Sequence, residues 1–365
     1  QNIILDKGFI LPKNPYYIGQ YSLVIVLTRL FQIPLELIDK FFLPVLSSFL
    51  LPSVIFYSFK NFFKSQLPLL VATLLAGLLL ITNNFFTVPQ QLANFLLVIL
   101  IFLSLSYIQQ KNINLLLLWF LSFTILFIHP LAGVPAFILT FLISLSLIRQ
   151  KNSQKTITFV FIILSSLAIP LAFILASLIL PGFGLSFDLS NIKNIFSNQT
   201  INYLPFHSFL SPFYLLQNYF ILLVIILALL GLTYLLRQTK NKKILYLALV
   251  ILILFINFIL LQTLSFNSVI YYEQDIFPAR IISFIFFFSL PFILSVLYFT
   301  FNKILENKKY WLTFVALSFL ATGIFYLSYP RYDVYQKNKG YAVSDADIEA
   351  VHLIQQVSTS DNFIV

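Results

Sequence analysis

Residues 244–301 decide how this chain is read. ILYLALVILILFINFILLQ at 244–262 and IISFIFFFSLPFILSVLYFTF at 281–301 are each about twenty residues long and carry no charge. Roughly 20 apolar residues is the length of a membrane-crossing helix. Between the two runs lies YYEQDIFPAR at 271–280, which gathers Tyr271, Tyr272, Glu273, Asp275, Pro278 and Arg280. Unpaired charge is costly in hydrocarbon. The segment therefore either sits in water at a bilayer surface or lines a polar site at the membrane boundary.

The rest of the chain has the same texture. It is 60% hydrophobic and 9% charged, against about a quarter charged for soluble domains. Spans are expected at 41–59, 67–82, 92–108, 115–128, 131–148, 157–179, 218–236, 244–262, 281–301 and 310–328. Several fall short of the ~20 residues a perpendicular helix needs, so local thinning or partly buried ends are expected. His129-Pro130 divides one long apolar stretch into two spans, because proline interrupts the helical ladder. Residues 16–33 hold Gln20, Thr28 and Arg29 within an apolar run, which reads either as a helix lying in the membrane interface or as a span with Arg29 snorkelling. The chain has no cysteine, and its three histidines are too far apart to suggest metal-ligand spacing. It also has no methionine, so it is expected to be a fragment or a processed form.

Charge orients the chain. Taken alternately after the first span, one set of loops holds Lys60, Lys64, Lys111, Arg149, Lys151, Lys155, Arg237, Lys240, Lys242, Lys243, Lys303, Lys308 and Lys309; the other set holds Lys193 and Arg280. The first set is expected to face the cytoplasm. Of the acidic residues only Glu306 lies on that side. The net charge of +10 is thus spent on orientation, and no nucleic-acid partner is expected. The opposite face receives the N-terminal segment with Asp6, the 83–91 loop, the His129 turn, the long 180–217 loop with His207, the YYEQDIFPAR loop and the C-terminal tail. Within that tail SDADIEAVHLIQQV (344–357) reads as a helix and FIV as the start of a strand, suggesting the beginning of a small outer α/β domain.

No Asp, Glu, Lys or Arg falls inside any of the ten expected spans. Ion-coupled carriers place such residues near the bilayer midplane, whereas here the polar groups collect on one side. An enzyme acting on a lipid-linked substrate fits that pattern. A transporter and a non-catalytic assembly protein remain as alternatives.

The segment from Asn14-Pro15-Tyr16-Tyr17 through the 16–33 helix and the 41–59 span to Lys60 resembles the region after the first span of GT-C glycosyltransferases. That superfamily includes protein mannosyltransferases and lipid A aminoarabinose transferases. His129-Pro130-Leu131-Ala132-Gly133, Pro278-Ala279-Arg280 and an outer C-terminal domain are similar to features of the same group. Some members carry arginine at the outer start of the second span, where this chain has Asp39-Lys40.

The resemblance implies three regions. These are a first outer loop with an interfacial helix (1–40), a helical membrane domain (41–328) and an extracytoplasmic C-terminal domain (329–365). It implies sugar transfer from a polyprenyl-phosphate donor to a protein or glycan acceptor at the outer face of the plasma (inner) membrane. It places the catalytic acid in the first outer loop, after a first span expected to be missing here. Asp6 is the one carboxylate left before the interfacial helix. Asp6, Glu273 and Asp275 are the catalytic candidates, and Arg280, Tyr272, His129 and His207 the substrate-binding ones. No cofactor is assigned; a divalent cation is compatible with the implied donor.

Overall fold

The computed structural model describes residues 18–81, 87–110, 113–148, 150–179, 185–187, 219–239, 241–266, 276–328 and 352–354. The helices are α1 (Ile18–Phe31), α2 (Leu35–Phe59), α3 (Gln66–Ile81), α4 (Pro89–Gln110), α5 (Leu115–Ile128), α6 (Pro130–Leu145), α7 (Lys151–Ile179), α8 (Phe220–Thr239), α9 (Leu245–Gln262), α10 (Ile276–Glu306) and α11 (Tyr310–Ser328). Two three-residue strands, β1 (Leu185–Phe187) and β2 (Leu264–Phe266), pair antiparallel with Ser186 opposite Ser265. Both read Leu-Ser-Phe, and together they tie the end of α7 to the end of α9. Residues 352–354 are helical, within the expected 344–357 helix.

This is an all-α polytopic membrane protein. Among the described residues six helices are long and apolar enough to cross a bilayer: α2, α4, α7, α8, α9 (with the 3-10 turn before it) and α10. The four others that match expected spans (α3, α5, α6 and α11) are apolar over shorter stretches: Gln66–Leu80, Leu115–Ile128, Pro130–Leu145 and Tyr310–Tyr326. At ~1.5 Å per residue, a 14-residue helix such as α5 is about 21 Å long, below the ~30 Å of a hydrocarbon core.

α4 and α10 form the centre, with most of their residues buried. α7 and α8 lie at the edge and turn large apolar side chains outward, including Phe159, Ile163, Leu222 and Leu229. One basic end is bound by aromatic packing. Phe63 stacks on Tyr298 at 3.9 Å between centroids, Phe59 packs on Phe63 and Phe102, and the Ser65 N–H donates to the Tyr298 hydroxyl. Asn241 joins the same end to α4 by donating to the Ile108 carbonyl.

Two helices contain a proline whose disruption is repaired from outside. Pro170 lies within α7. Just before it, Asn257 of α9 donates Nδ2 to the Ser165 carbonyl at 3.0 Å and accepts the Ile169 N–H on Oδ1 at 3.1 Å. Ser165 and Ile169 are an i, i+4 pair, which an α-helix joins to each other. Pro44 lies within α2, and Thr87 does the same work before it. The Thr87 N–H donates to the Asp39 carbonyl at 3.0 Å while its Oγ1 accepts the Leu43 N–H at 3.1 Å. Proline-bearing membrane helices survive where neighbouring groups satisfy the loosened ladder. Asn257 is wholly buried. Asn257→Leu is therefore expected to lower stability by about 1–3 kcal/mol, read as earlier thermal unfolding in detergent. Unchanged unfolding would mean that Ile169 simply re-pairs with Ser165.

α1 does not run alongside α2. Gln20 lies near the start of α1, yet its Nε2 reaches Oδ1 of Asp39, in the second turn of α2. An antiparallel hairpin would set Gln20 much deeper against α2. α1 instead lies across the end of the bundle. Its start is seated where a Cβ on Gly19 would come 2.9 Å from the Phe127 carbonyl at the end of α5. Gln32 closes α1 in the left-handed region (φ 54°), and Pro34 prevents continuation.

Candidate functional site

The end opposite the aromatic clasp holds Arg280 and His129, the two sequence candidates among the described residues. α10 begins at Ile276, so Pro278 falls in its first turn, where a missing N–H costs least. Arg280 follows in the second turn, half-buried, its guanidinium 5.7 Å from the centre of the Phe277 ring. Phe277 in turn meets Phe173 of α7 edge to face. No acidic residue occupies the first turn of α10. The N–H groups of a helix start and a guanidinium both favour an anion.

His129 sits between α5 and α6 with extended backbone (φ −152°, ψ 101°) and serves both helices. Its N–H donates to the Ile125 carbonyl at 2.8 Å, closing α5. Its Nδ1 accepts the Ala132 N–H at 3.4 Å, opening α6. Gly133 makes the tight return possible, since a Cβ there would fall 2.5 Å from the Leu126 Cα. With Nδ1 accepting, the neutral ring carries its proton on Nε2.

Burial, and then the charge of Arg280, push the His129 imidazole down from 6.5 to about 4. Two candidates that are far apart in sequence are thus within electrostatic reach of each other. Because the folded-state pKa lies below the unfolded one, the His129 contribution to stability is complete above about pH 6.5 and is lost as pH falls towards 4. Arg280→Gln is expected to raise the His129 pKa part of the way, burial being the larger cause. Histidine ring titration by NMR checks this; an unmoved His129 would place Arg280 out of reach.

Beside α5, a second polar group binds three separate segments. Gln20 is buried; its Nε2 donates to Asp39 Oδ1 at 3.3 Å and to the Thr87 carbonyl at 2.6 Å. Thr87 also donates its hydroxyl to the Ile38 carbonyl at 3.3 Å. Asp39 is half-buried, which leaves a carboxylate at the bundle end held by a fixed amide. Gln20, Asp39 and Thr87 are not among the candidates that the sequence points to. Their signal is a polar residue interrupting or bordering an apolar run, which by itself does not say that they meet.

Asp6, His207, Tyr272, Glu273 and Asp275 lie outside the described residues, as do Asn14 to Tyr17. Among the described residues no three His, Cys, Asp or Glu side chains converge on a metal site, and no Asp, Glu, Lys or Arg is buried.

The fold and this end together define a class: a multi-pass helical membrane protein whose described polar clusters of Arg280, His129, Gln20, Asp39 and Thr87 lie at one end. No protein-family model, curated protein or solved structure matches the chain.

Proposed function

We propose that this protein is a membrane glycosyltransferase, moving a sugar from a polyprenyl-phosphate donor to a protein or glycan acceptor at the extracytoplasmic face. The observation that carries this reading is the gathering of the candidate groups at the end away from the lysines. Arg280, His129 and the Gln20–Asp39–Thr87 knot stand at one end, and no charged side chain is buried among the described residues. A carrier driven by protons or sodium works through ionisable groups at depth; a transferase acting on a lipid-linked donor works at a boundary.

In this reading all ten apolar helices from α2 to α11 cross the plasma (inner) membrane, the shorter ones where the bilayer thins, and α1 lies in the outer interface. The C-terminal segment is extracytoplasmic. Arg280 holds the donor phosphate with a bidentate fork, helped by the start of α10. The acceptor oxygen attacks the anomeric carbon, the bond from that carbon to the phosphate oxygen breaks, and the acceptor proton passes to a carboxylate. Asp6, Glu273 and Asp275 are the proposed carboxylates, and Tyr272, His129 and His207 the proposed substrate contacts.

Orientation has its own test. Reporter fusions at Lys64, Lys151, Lys242 and Lys308 are expected to report cytoplasm, and fusions at Gln90, Lys193, Gln274 and Lys339 the outside. Two or more on the wrong side would move the proposed site to the other face. The activity is tested by donor consumption: reconstituted full-length protein should release polyprenyl phosphate from its sugar-charged form. Solute uptake driven by a proton or sodium gradient would replace the transferase reading with a carrier.

A further inference from the structure

A groove at the basic end lies far from the polar end and plays no part in the proposed transfer. It has a volume of about 310 Å³ and is lined by Gln154, Lys155, Thr158, Phe159 and Ile162 of α7 and by Tyr246 of α9. Its chemistry is graded along α7. The first turns bring an amide, an ammonium and a hydroxyl, and the next bring a phenyl ring and the sec-butyl chain of Ile162. Phe159 is 64% exposed, and the outward surface continues from it through the exposed Val160, Ile163 and Leu164. A soluble ligand would leave that apolar wall without a use.

Charge on both sides of the groove has one sign. Lys155 lines it from α7, and Lys242 and Lys243 form the 3-10 turn that leads into Tyr246 of α9. Neither 150–187 nor 219–262 contains a single Asp or Glu. The cations therefore have no acidic partner on their own elements, and none of the described ones is buried. Cations at the depth where a helix leaves the hydrocarbon, above an apolar wall, match an anionic headgroup with its acyl chain.

We propose that this groove is a binding site for an anionic glycerophospholipid. Its phosphate is held by Lys155 with the hydroxyls of Thr158 and Tyr246, and the start of one acyl chain lies along Phe159 and Ile162. The site anchors the edge helix α7, which packs on the bundle along one narrow face, to the leaflet on the basic side.

Native mass spectrometry of the full chain, released from nanodiscs of equal phosphatidylglycerol and phosphatidylcholine, tests the assignment. Wild type is expected to retain phosphatidylglycerol over phosphatidylcholine. Lys155→Gln should cut that preference about fivefold, the scale of one basic residue at an anionic surface. Thr158→Trp, which fills the groove without touching charge, should cut it as well. Lys303→Gln, on α10, should leave it intact. Equal retention of the two lipids by wild type would overturn the proposal, and so would a Lys155→Gln protein indistinguishable from wild type. Displacement of the bound lipid by inorganic phosphate alone would mean a free-anion site and would also overturn it.

Discussion

Gly231→Ala is expected to prevent normal assembly of the bundle. Gly231 of α8 faces α10 so closely that a Cβ would overlap the main chain of Phe292, lying 2.8 Å from its Cα and closer still to its carbonyl. Backbone atoms cannot rotate away as a side-chain tip can, so one methyl forces two helices apart. Small residues at such crossings supply van der Waals contact where lipid offers no hydrophobic drive. Overpacking usually costs about 1–3 kcal/mol, and a clash with backbone belongs at or above the top of that range. Gly77 is the control, because a Cβ there would meet only the Pro52 ring edge at 3.3 Å. Gly77→Ala should be close to neutral, since alanine also gains up to about 1 kcal/mol in helix propensity. Size-exclusion profile and thermal unfolding in detergent give the comparison. Equal behaviour of the two variants would mean that α8 and α10 are held further apart than described.

Arg280→Ala is expected to reduce donor turnover on the order of a hundredfold, as loss of a preorganised charge at a developing anion does elsewhere. Arg280→Lys should fall between, since lysine keeps the charge and loses the planar fork. Both proteins should still insert and unfold at near wild-type temperature, because Arg280 is only half-buried and its ring contact with Phe277, at 5.7 Å, is a weak one. Equal turnover in all three proteins would leave Arg280 as an interfacial anchor.

Much of this fold is legible in the sequence. The helices at 115–128 and 310–328 have the bounds expected from their apolar runs. Others outrun the expectation, α7 starting at Lys151 and not at 157 and α10 reaching from Ile276 to Glu306 beyond the expected 281–301, whereas α6 stops at Leu145, short of the expected 148. An apolar run measures the hydrocarbon, whereas helical hydrogen bonding continues into the headgroup layer with polar side chains attached. The His129-Pro130 break is legible because proline speaks locally. The repairs at Pro44 and Pro170 are not, since the groups that make them, Thr87 and Asn257, come from distant segments and look like isolated polar residues. The short β1–β2 pair is hidden for the same reason: three residues of Leu-Ser-Phe carry no periodicity.

The candidate site divides in the same way. Arg280 stands out in sequence as a cation on the side that positive charge avoids, and His129 as a polar residue within an apolar stretch. Their proximity is a property of the fold, since α5, α6 and α10 must pack before one charge can act on the other. Asp39 stands out in sequence only as a departure from arginine, and its clamp by Gln20 appears only in three dimensions.

In the proposed function the end with Arg280 and His129 is a catalytic site for a lipid-linked sugar. The most direct measurement incubates full-length protein, reconstituted in vesicles, with a radiolabelled polyprenyl-phosphate sugar and follows both the donor and solute entering the lumen. Sugar is expected to leave the lipid at a rate that depends on Arg280, with no uptake driven by a proton or sodium gradient. An intact donor together with gradient-driven accumulation of solute would contradict it.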